Sequence, residues 1–274
     1  MADIKTITET ITIIITIPIP ITITTITTTI TTTITKTKIP KTYVTIKPIE
    51  RTFFKPHTIS LQNLNLQATL RYTLDGSEPT LKSPIYTKPL TLTKTCKLKM
   101  KSWDKWGQPY ETSTVGFTKE TALVAQNLIS PKTGLNFKKF NGKFSKIPDI
   151  SKLTVNSTGI SLNYKPREAA KQQNGFALQY TGYVKVPATG LYTFHVKSDD
   201  GSRLTIGGKK VVELNVLSDR DPWESKGSVA LSAGFHKLDI EYFQFQINSS
   251  LEIKYSVDGG SIKALSPDML FRTK

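Results

Sequence analysis

Several residue types and motifs that often accompany catalysis are scarce in this chain of 274 residues. The single cysteine, Cys96, excludes an internal disulfide and gives no support to a cysteine-based metal site. The three histidines are scattered and lack the spacing of paired metal ligands. A glycine-rich phosphate loop and a nucleophile elbow are also absent. The sequence therefore predicts a protein that is not an enzyme.

The N-terminus also lacks the features of a targeting segment. After Met1 there is no basic start, no Leu/Ala-type apolar core and no small-residue cleavage site. A membrane helix needs about 20 mostly apolar residues. The longest isoleucine-dense stretch is shorter, alternates with threonine and contains Pro18 and Pro20. We therefore expect neither a signal peptide nor a membrane span.

Acidic residues are outnumbered, with 21 Asp and Glu against 37 Lys and Arg, which gives a net charge of +16. The excess is spread evenly along the chain, unlike the basic arm of a nucleic-acid-binding protein, so we expect no specific nucleic-acid partner. Two interpretations remain open. The surface is simply coated with lysine for solubility, or it is attracted to acidic surfaces such as anionic glycans or lipopolysaccharide.

Isoleucine and threonine, in contrast, dominate residues 4–40, where they contribute 14 and 16 of the 37 positions. Both residues are β-branched and favour strands. Isoleucine occupies every odd position from Ile11 to Ile23, which predicts a strand with one apolar face. The phase then changes at Thr24-Thr25, which we interpret as a bulge or a corner.

Such an uncharged strand needs strand partners, from its own chain or from other copies of it. We therefore expect residues 1–40 to form an oligomerisation stalk through which the chain associates with itself, with a trimer favoured. The alternative is a disordered or passenger tail produced by expansion of a repeat. Residues 41–56 are rich in proline and lysine and are predicted to form an extended linker.

The next segment, residues 57–120, alternates short strands with turns. Asp75-Gly76-Ser77 is a turn signal, and Lys97, Lys99 and Lys101 are predicted to share one face of an exposed strand. Around residues 72–86, which read YTLDGSEPTLKSPIY, the chain resembles the fibronectin type III-like domain at the C-terminus of chitobiases and β-hexosaminidases. The resemblance implies a spacer module, in which Asp75 and Glu78 are turn and capping groups.

Residues 131–274 contain many short strands bounded by glycine or serine, a pattern typical of a β-sandwich or barrel. Gly207-Gly208-Lys209 predicts a hairpin between two of these strands. Three of its blocks are TGLYTFHVKSDDGSRL at 189–204, AGFH at 233–236 and PDMLF at 267–271. In this order they resemble the PA-fourteen domain, the protective-antigen N-terminal-like domain of toxins, adhesins and glycosidases. In lectin members of that family, two adjacent aspartates hold a calcium ion whose coordination the sugar hydroxyls complete. The resemblance places those aspartates at Asp199 and Asp200.

Calcium takes six to eight oxygen ligands, and two carboxylates offset most of its charge. Successive strand residues point to opposite faces, so both carboxylates reach one ion only if the backbone is distorted there. The alternative for this pair is a structural turn. The following loop is expected to supply further ligands and specificity, and its glycan-binding candidates are Asn215, Asp219, Asp221 and Trp223. These loop residues could equally belong to a solvated turn.

The chain departs from the family pattern at two places. Gly207 stands where members commonly have aspartate, and Glu213-Leu214 stands where they have an Asp-Asn pair. The overall expectation is an all-β protein with a stalk, a small fibronectin-like sandwich and a PA-fourteen-type sandwich.

Three functions fit this organisation. The first is an oligomeric fibre or adhesin subunit with a glycan-binding head, displayed on a cell surface or on a virion or contractile-injection particle. The second is an accessory carbohydrate-binding module of a secreted glycosidase, against which the start at Met1 counts because it leaves no room for a catalytic domain. The third is a purely structural filament or decoration protein.

Overall fold

The computed structural model describes residues 5–16, 25–36, 39, 41–166, 175–217, 222–245 and 249–273. As predicted, these residues are almost entirely β-structure, with two short 3-10 turns at Ile150–Lys152 and Pro267–Met269. They form two compact units, which are described separately below. The first takes its described residues from Met1–Ile49, Thr58–Leu90 and Cys96–Gly116, and the second from Glu50–His57, Thr91–Thr95 and Phe117–Lys274.

The isoleucine- and threonine-rich run forms a two-stranded antiparallel sheet rather than one strand. Strand β1 spans Lys5–Thr16 and strand β2 spans Thr25–Lys36, with Lys5 opposite Lys36 and Thr16 opposite Thr25. The expected alternation beyond Thr16 lies outside the described residues. Thr25 opens a second strand instead of lying in a bulge, so the change of phase separates two paired strands. Pairing within the chain satisfies backbone groups that a single strand would leave open.

Two small sheets follow. One has three strands in the order β3-β5-β7, and the other has four in the order β4-β9-β8-β6. Their bounds are Val44–Lys47 for β3, Thr52–Phe53 for β4, His57–Asn63 for β5, Thr69–Thr73 for β6, Leu90–Leu92 for β7, Cys96–Trp103 for β8 and Ser113–Lys119 for β9.

Strand β8 confirms the predicted alternation. Leu98 and Met100 are fully buried, whereas Lys97, Lys99 and Lys101 lie on the opposite face. The strand is not an exposed one as predicted, because β8 is paired with both β9 and β6. The predicted turn at Asp75 is also confirmed, because its Oδ1 accepts hydrogen bonds from Ser77 N at 2.9 Å and Ser77 Oγ at 2.6 Å. Gly76 takes the positive φ of 83° that this turn requires.

The second unit contains a β-sandwich. Its larger sheet has the order β10-β21-β13-β18-β15-β16, and β11 pairs with both β12 and β13. The smaller sheet has the order β17-β14-β19-β20. The strand bounds are Lys132–Thr133 (β10), Leu135–Asn141 (β11), Ser157–Ser161 (β12), Phe176–Val186 (β13), Gly190–Asp199 (β14), Ser202–Ile206 (β15), Lys209–Leu214 (β16), Trp223–Leu231 (β17), Gly234–Gln244 (β18), Ser250–Val257 (β19), Lys263–Ala264 (β20) and Leu270–Arg272 (β21).

The core of the sandwich consists of alternate residues from both sheets, as the strand period dictates. Tyr192, Phe194 and Val196 of β14 pack in one buried cluster with residues such as Leu204 of β15 and Ile240 of β18. The predicted hairpin at Gly207-Gly208 is confirmed, since these two residues join β15 to β16 with positive φ angles. This packing fixes the strand ends around which the candidate site is built.

Candidate functional site

The candidate site lies where the chain crosses from one sheet of the sandwich to the other. Strand β14 of the smaller sheet ends at Asp199, and strand β15 of the larger sheet begins at Ser202. Asp200 and Gly201 make the crossing. A Cβ on Gly201 would lie 2.2 Å from Phe243 Cε1 and 2.7 Å from the Leu214 carbonyl oxygen, so only glycine fits this close passage.

Both aspartates are buried at this crossing, with Asp199 8% and Asp200 3% exposed. The peptide bond between them is cis, and strand β14 ends at Asp199. Asp200 Oδ2 accepts a hydrogen bond from the Phe245 backbone N–H at 2.8 Å. The hydroxyl of Tyr242 contacts the Asp199 carbonyl oxygen, which ties the crossing to strand β18.

The electrostatics of the pair are unfavourable in the protein alone. Burial, and then the neighbouring charge of Asp200, raise the pKa of Asp199 from an ordinary 3.8 to about 6. The pKa of Tyr242 is raised mainly by burial and further by the two carboxylates. Two buried carboxylates of like charge side by side favour a bound cation or a proton.

Two serine hydroxyls flank the crossing. Ser198 and Ser202 are buried at its two ends, and neither hydroxyl oxygen has a hydrogen-bond partner among the described residues. Buried polar atoms usually have a hydrogen-bond partner. These two hydroxyls therefore keep hydrogen-bonding capacity that no described protein group uses. Carboxylate and hydroxyl oxygens are hard donors of the kind that calcium prefers. The donor chemistry therefore fits a calcium ion held by Asp199 and Asp200.

The described residues supply only part of a coordination shell. Among them, no group of three or more His, Cys, Asp or Glu side chains is placed to hold a metal ion. The two departures from the family pattern are consistent with this. Gly207 lies in a turn, Glu213 pairs with Arg203 at 2.7 Å, and Leu214 is buried. Of the expected ligand loop, residues 223–226 belong to strand β17, so the segment between β16 and β17, other protein oxygens, solvent or a sugar would supply further ligands.

The predicted loop residues fall in different surroundings. Trp223 opens strand β17 in register opposite Ser198, the residue before the aspartate pair, and its side chain is 52% exposed. Asn215 Oδ1 accepts a hydrogen bond from the Ile147 backbone N–H at 2.7 Å, which gives this side chain a structural contact as well. Asp219 and Asp221 lie outside the described residues. Glycan binding by these residues stays a prediction.

Sequence reasoning did not single out Ser198, Ser202, Tyr242 and Phe245 as neighbours of the site. Tyr242 and Phe245 lie more than 40 positions after Asp199, and only the pairing of β15 with β18 brings them close. The serines were visible in the Ser-Asp-Asp-Gly-Ser string, but serine beside a turn carries no specific signal.

The fold and the paired acidic residues define a class, namely a β-sandwich domain with an acidic crossing between its sheets. Residues 131–268, just over half of the chain, match the family model described as the PA14 domain. The chain therefore belongs to the PA14 domain family, and the predicted resemblance is confirmed. Residues 48–114 match the chitobiase/β-hexosaminidase C-terminal domain, so the two modules occur in the predicted order.

Among curated proteins, the chain is similar to a β-hexosaminidase of Porphyromonas gingivalis. The two are 27% identical over 174 residues, which cover 61% of this chain and 22% of that protein. The chain thus spans less than a quarter of the length of this relative. No helix in the described part of the chain combines the length and apolar character needed to cross a bilayer.

Solved structures also resemble the chain. The PA14 domain of the MpAFP antifreeze protein has a TM-score of 0.44 at 18% identity and covers 55% of this chain and 96% of its own. A PA14 sugar-binding domain from an RTX adhesin has a TM-score of 0.42 at 16% identity, covering 52% and 99%. The A domain of epithelial adhesin 9 from Candida glabrata, solved with Galβ1-3GlcNAc, has a TM-score of 0.43 at 13% identity, covering 56% and 95%.

Proposed function

We propose that this protein is a glycan-binding protein whose PA14 domain holds calcium through Asp199 and Asp200. The buried pair of adjacent carboxylates carries this proposal, because two like charges side by side in a buried place favour a bound cation. A calcium ion held by these two carboxylates would bind neighbouring sugar hydroxyls. Asp199 and Asp200 provide negative charge and oxygen ligands, and the Phe245 N–H holds one Asp200 oxygen in place.

The surface around the pair suits recognition of a sugar. Trp223 presents a large exposed ring in register with Ser198, the residue before the crossing, and aromatic rings pack against the apolar faces of sugars. The rest of the loop, with Asn215, Asp219 and Asp221, provides amide and carboxylate groups for the hydroxyls. In this proposal the aspartates determine that a sugar binds, and the loop determines which one.

Thermal melting tests the calcium step. A site that binds calcium only in the folded state stabilises the protein by RT ln(1 + [L]/Kd), about 2.7 kcal/mol at a hundredfold excess over Kd. We expect calcium to raise the melting temperature of the parent protein relative to chelator, and Asp200→Ala to abolish this rise. Lys254→Ala, an exposed change on the neighbouring strand β19, is the control and should keep it. An unchanged melt of the parent with calcium contradicts the proposal.

We further propose that the protein acts outside the cell, as a fibre or adhesin subunit on a cell or particle surface, and that it is not itself a catalyst. The 24 paired residues of β1 and β2 support self-association, because a two-stranded hairpin alone is marginally stable in water. Other copies of the hairpin would complete its sheet, with a trimer favoured. Light scattering of the full chain against a form starting at Thr42 tests this, and equal monomeric masses contradict it.

A second candidate is an accessory carbohydrate-binding module of a glycosidase. The similarity to a β-hexosaminidase across 174 residues favours it. The two candidates share the calcium and glycan site but differ in assembly. A monomer that binds the substrate polysaccharide of such an enzyme supports the second candidate, and a stable oligomer supports the first.

A further inference from the structure

One turn of the first unit presents a tryptophan to solvent. Trp106 is 75% exposed, whereas Trp103, three residues earlier, is buried. Tryptophan is enriched at binding interfaces, where its large ring supplies apolar contact area. The Lys105 ammonium lies 4.5 Å from the centre of the Trp106 ring.

The turn is held in a defined conformation by its own hydrogen bonds. Asp104 Oδ1 accepts from the backbone N–H of Trp106 at 2.9 Å and from that of Gln108 at 2.8 Å. The Asp104 N–H donates to the Gln108 carbonyl at 3.0 Å, and Gly107 N–H to the Asp104 carbonyl at 3.1 Å. The tryptophan is thus exposed on an ordered turn, which lowers the entropic cost of binding a ligand.

The strand that leads into this turn carries a row of cations. The row consists of Lys97, Lys99 and Lys101 on the outward face of β8, with Arg71 of β6 in register opposite Lys101. Alternate strand residues lie roughly 6.5–7 Å apart, so the row extends along the strand towards Lys105. We call these four residues together with Lys105 the cationic row.

Acidic side chains offset only part of this charge. Glu78 accepts from Lys99 at 3.3 Å and from Lys101 at 3.1 Å. Its pKa is held below the ordinary value first by the Thr112 hydroxyl and then by these lysines. Asp75 pairs by a backbone bridge with Lys97, but its side chain is hydrogen-bonded to Ser77. With Asp104 of the turn, five cations stand beside three carboxylates, which leaves the row positive.

We propose that Trp106 and the cationic row form a second, calcium-independent site for an anionic polysaccharide. One sugar ring stacks on the open face of Trp106, and carboxylate or sulfate groups of the same chain pair with the lysines. An exposed ring and neighbouring positive charges complement the apolar face and the anionic groups of such a chain. The inference deepens the proposed glycan-binding function and assigns it a site that does not depend on Asp199 or Asp200.

The experiment measures binding of the full chain to immobilised polygalacturonate and dextran sulfate in excess chelator, with neutral dextran and single-stranded DNA as comparisons. We expect binding to an anionic polysaccharide and at least about tenfold weaker binding to neutral dextran. Trp106→Ala and the double variant Lys99→Gln/Lys101→Gln should each weaken binding about tenfold. Melting curves of both variants verify that they remain folded.

The matched control is Lys237→Gln/Lys263→Gln, which removes the same charge from exposed positions of the PA14 domain. It should change the affinity by less than about twofold. Equal losses in both double variants mean general charge attraction, and no loss in Trp106→Ala means no stacking. Tighter binding of DNA than of either polysaccharide assigns the surface to nucleic acid. Each of these three results overturns the inference.

The outcome is independent of the calcium site. If the protein does not bind polysaccharide in chelator but calcium still raises its melting temperature, only this second site is refuted. If the protein binds polysaccharide in chelator but calcium leaves its melting temperature unchanged, only the calcium mechanism is refuted.

Discussion

Asp199→Asn should stabilise the calcium-free protein at neutral pH, because ionising the buried Asp199 carboxyl group there destabilises the folded state. Its folded pKa of about 6 lies above the ordinary value of 3.8, so folding favours the protonated acid. The stability that this group provides is fully present below about pH 4 and is lost as the pH rises through 6. The difference between 3.8 and about 6 corresponds to roughly 3 kcal/mol. Asparagine has the same shape without the charge and escapes this loss.

The assay compares parent and variant by urea unfolding in chelator at pH 4 and pH 7.5. Any cost of burying the asparagine amide is the same at both pH values and cancels between them. We expect the free energy of unfolding of the variant minus that of the parent to be larger at pH 7.5 than at pH 4 by roughly 2–3 kcal/mol. A variant whose difference from the parent in free energy of unfolding is the same at both pH values would show that Asp199 has no raised pKa in the folded protein.

Two further predictions concern neighbouring residues. Gly201→Ala should lower the free energy of unfolding by about 3 kcal/mol, because the new Cβ would lie 2.2 Å from Phe243 Cε1. Gly116→Ala, where no atom lies within 4 Å of the Cβ position, should cost less than about 1 kcal/mol, and equal effects in urea unfolding would contradict the packing argument. Trp223→Ala should weaken glycan binding about tenfold in calorimetry and leave the calcium-induced rise in melting temperature unchanged. An unaltered affinity would exclude the ring from the site.

Local patterns predicted the local structure well. The alternation around Leu98, the turn at Asp75 and the hairpin at Gly207 each depend on residues within a few positions of one another. Strand period and turn chemistry are local properties, so they can be read from one sequence. The same reasoning missed the hairpin within the isoleucine and threonine run, because both strands have the same composition and nothing local distinguishes a bulge from a return.

The candidate site was predicted only through resemblance. Adjacent aspartates before a glycine indicate a turn in most sequences, and nothing in their spacing shows that both become buried. The burial arises because β14 and β15 belong to different sheets, which is a property of the whole topology. The contacts of Tyr242 and Phe245 also come from strands distant in sequence, so only the folded chain reveals them.

Calorimetric titration of the full chain with a panel of oligosaccharides, in calcium and in chelator, tests whether the PA14 domain binds sugar through calcium. We expect that at least one sugar with neighbouring free hydroxyls binds in calcium, and that this binding is lost in chelator and in Asp200→Ala. Sugar binding that is equally tight in chelator and in the Asp200→Ala protein would contradict it.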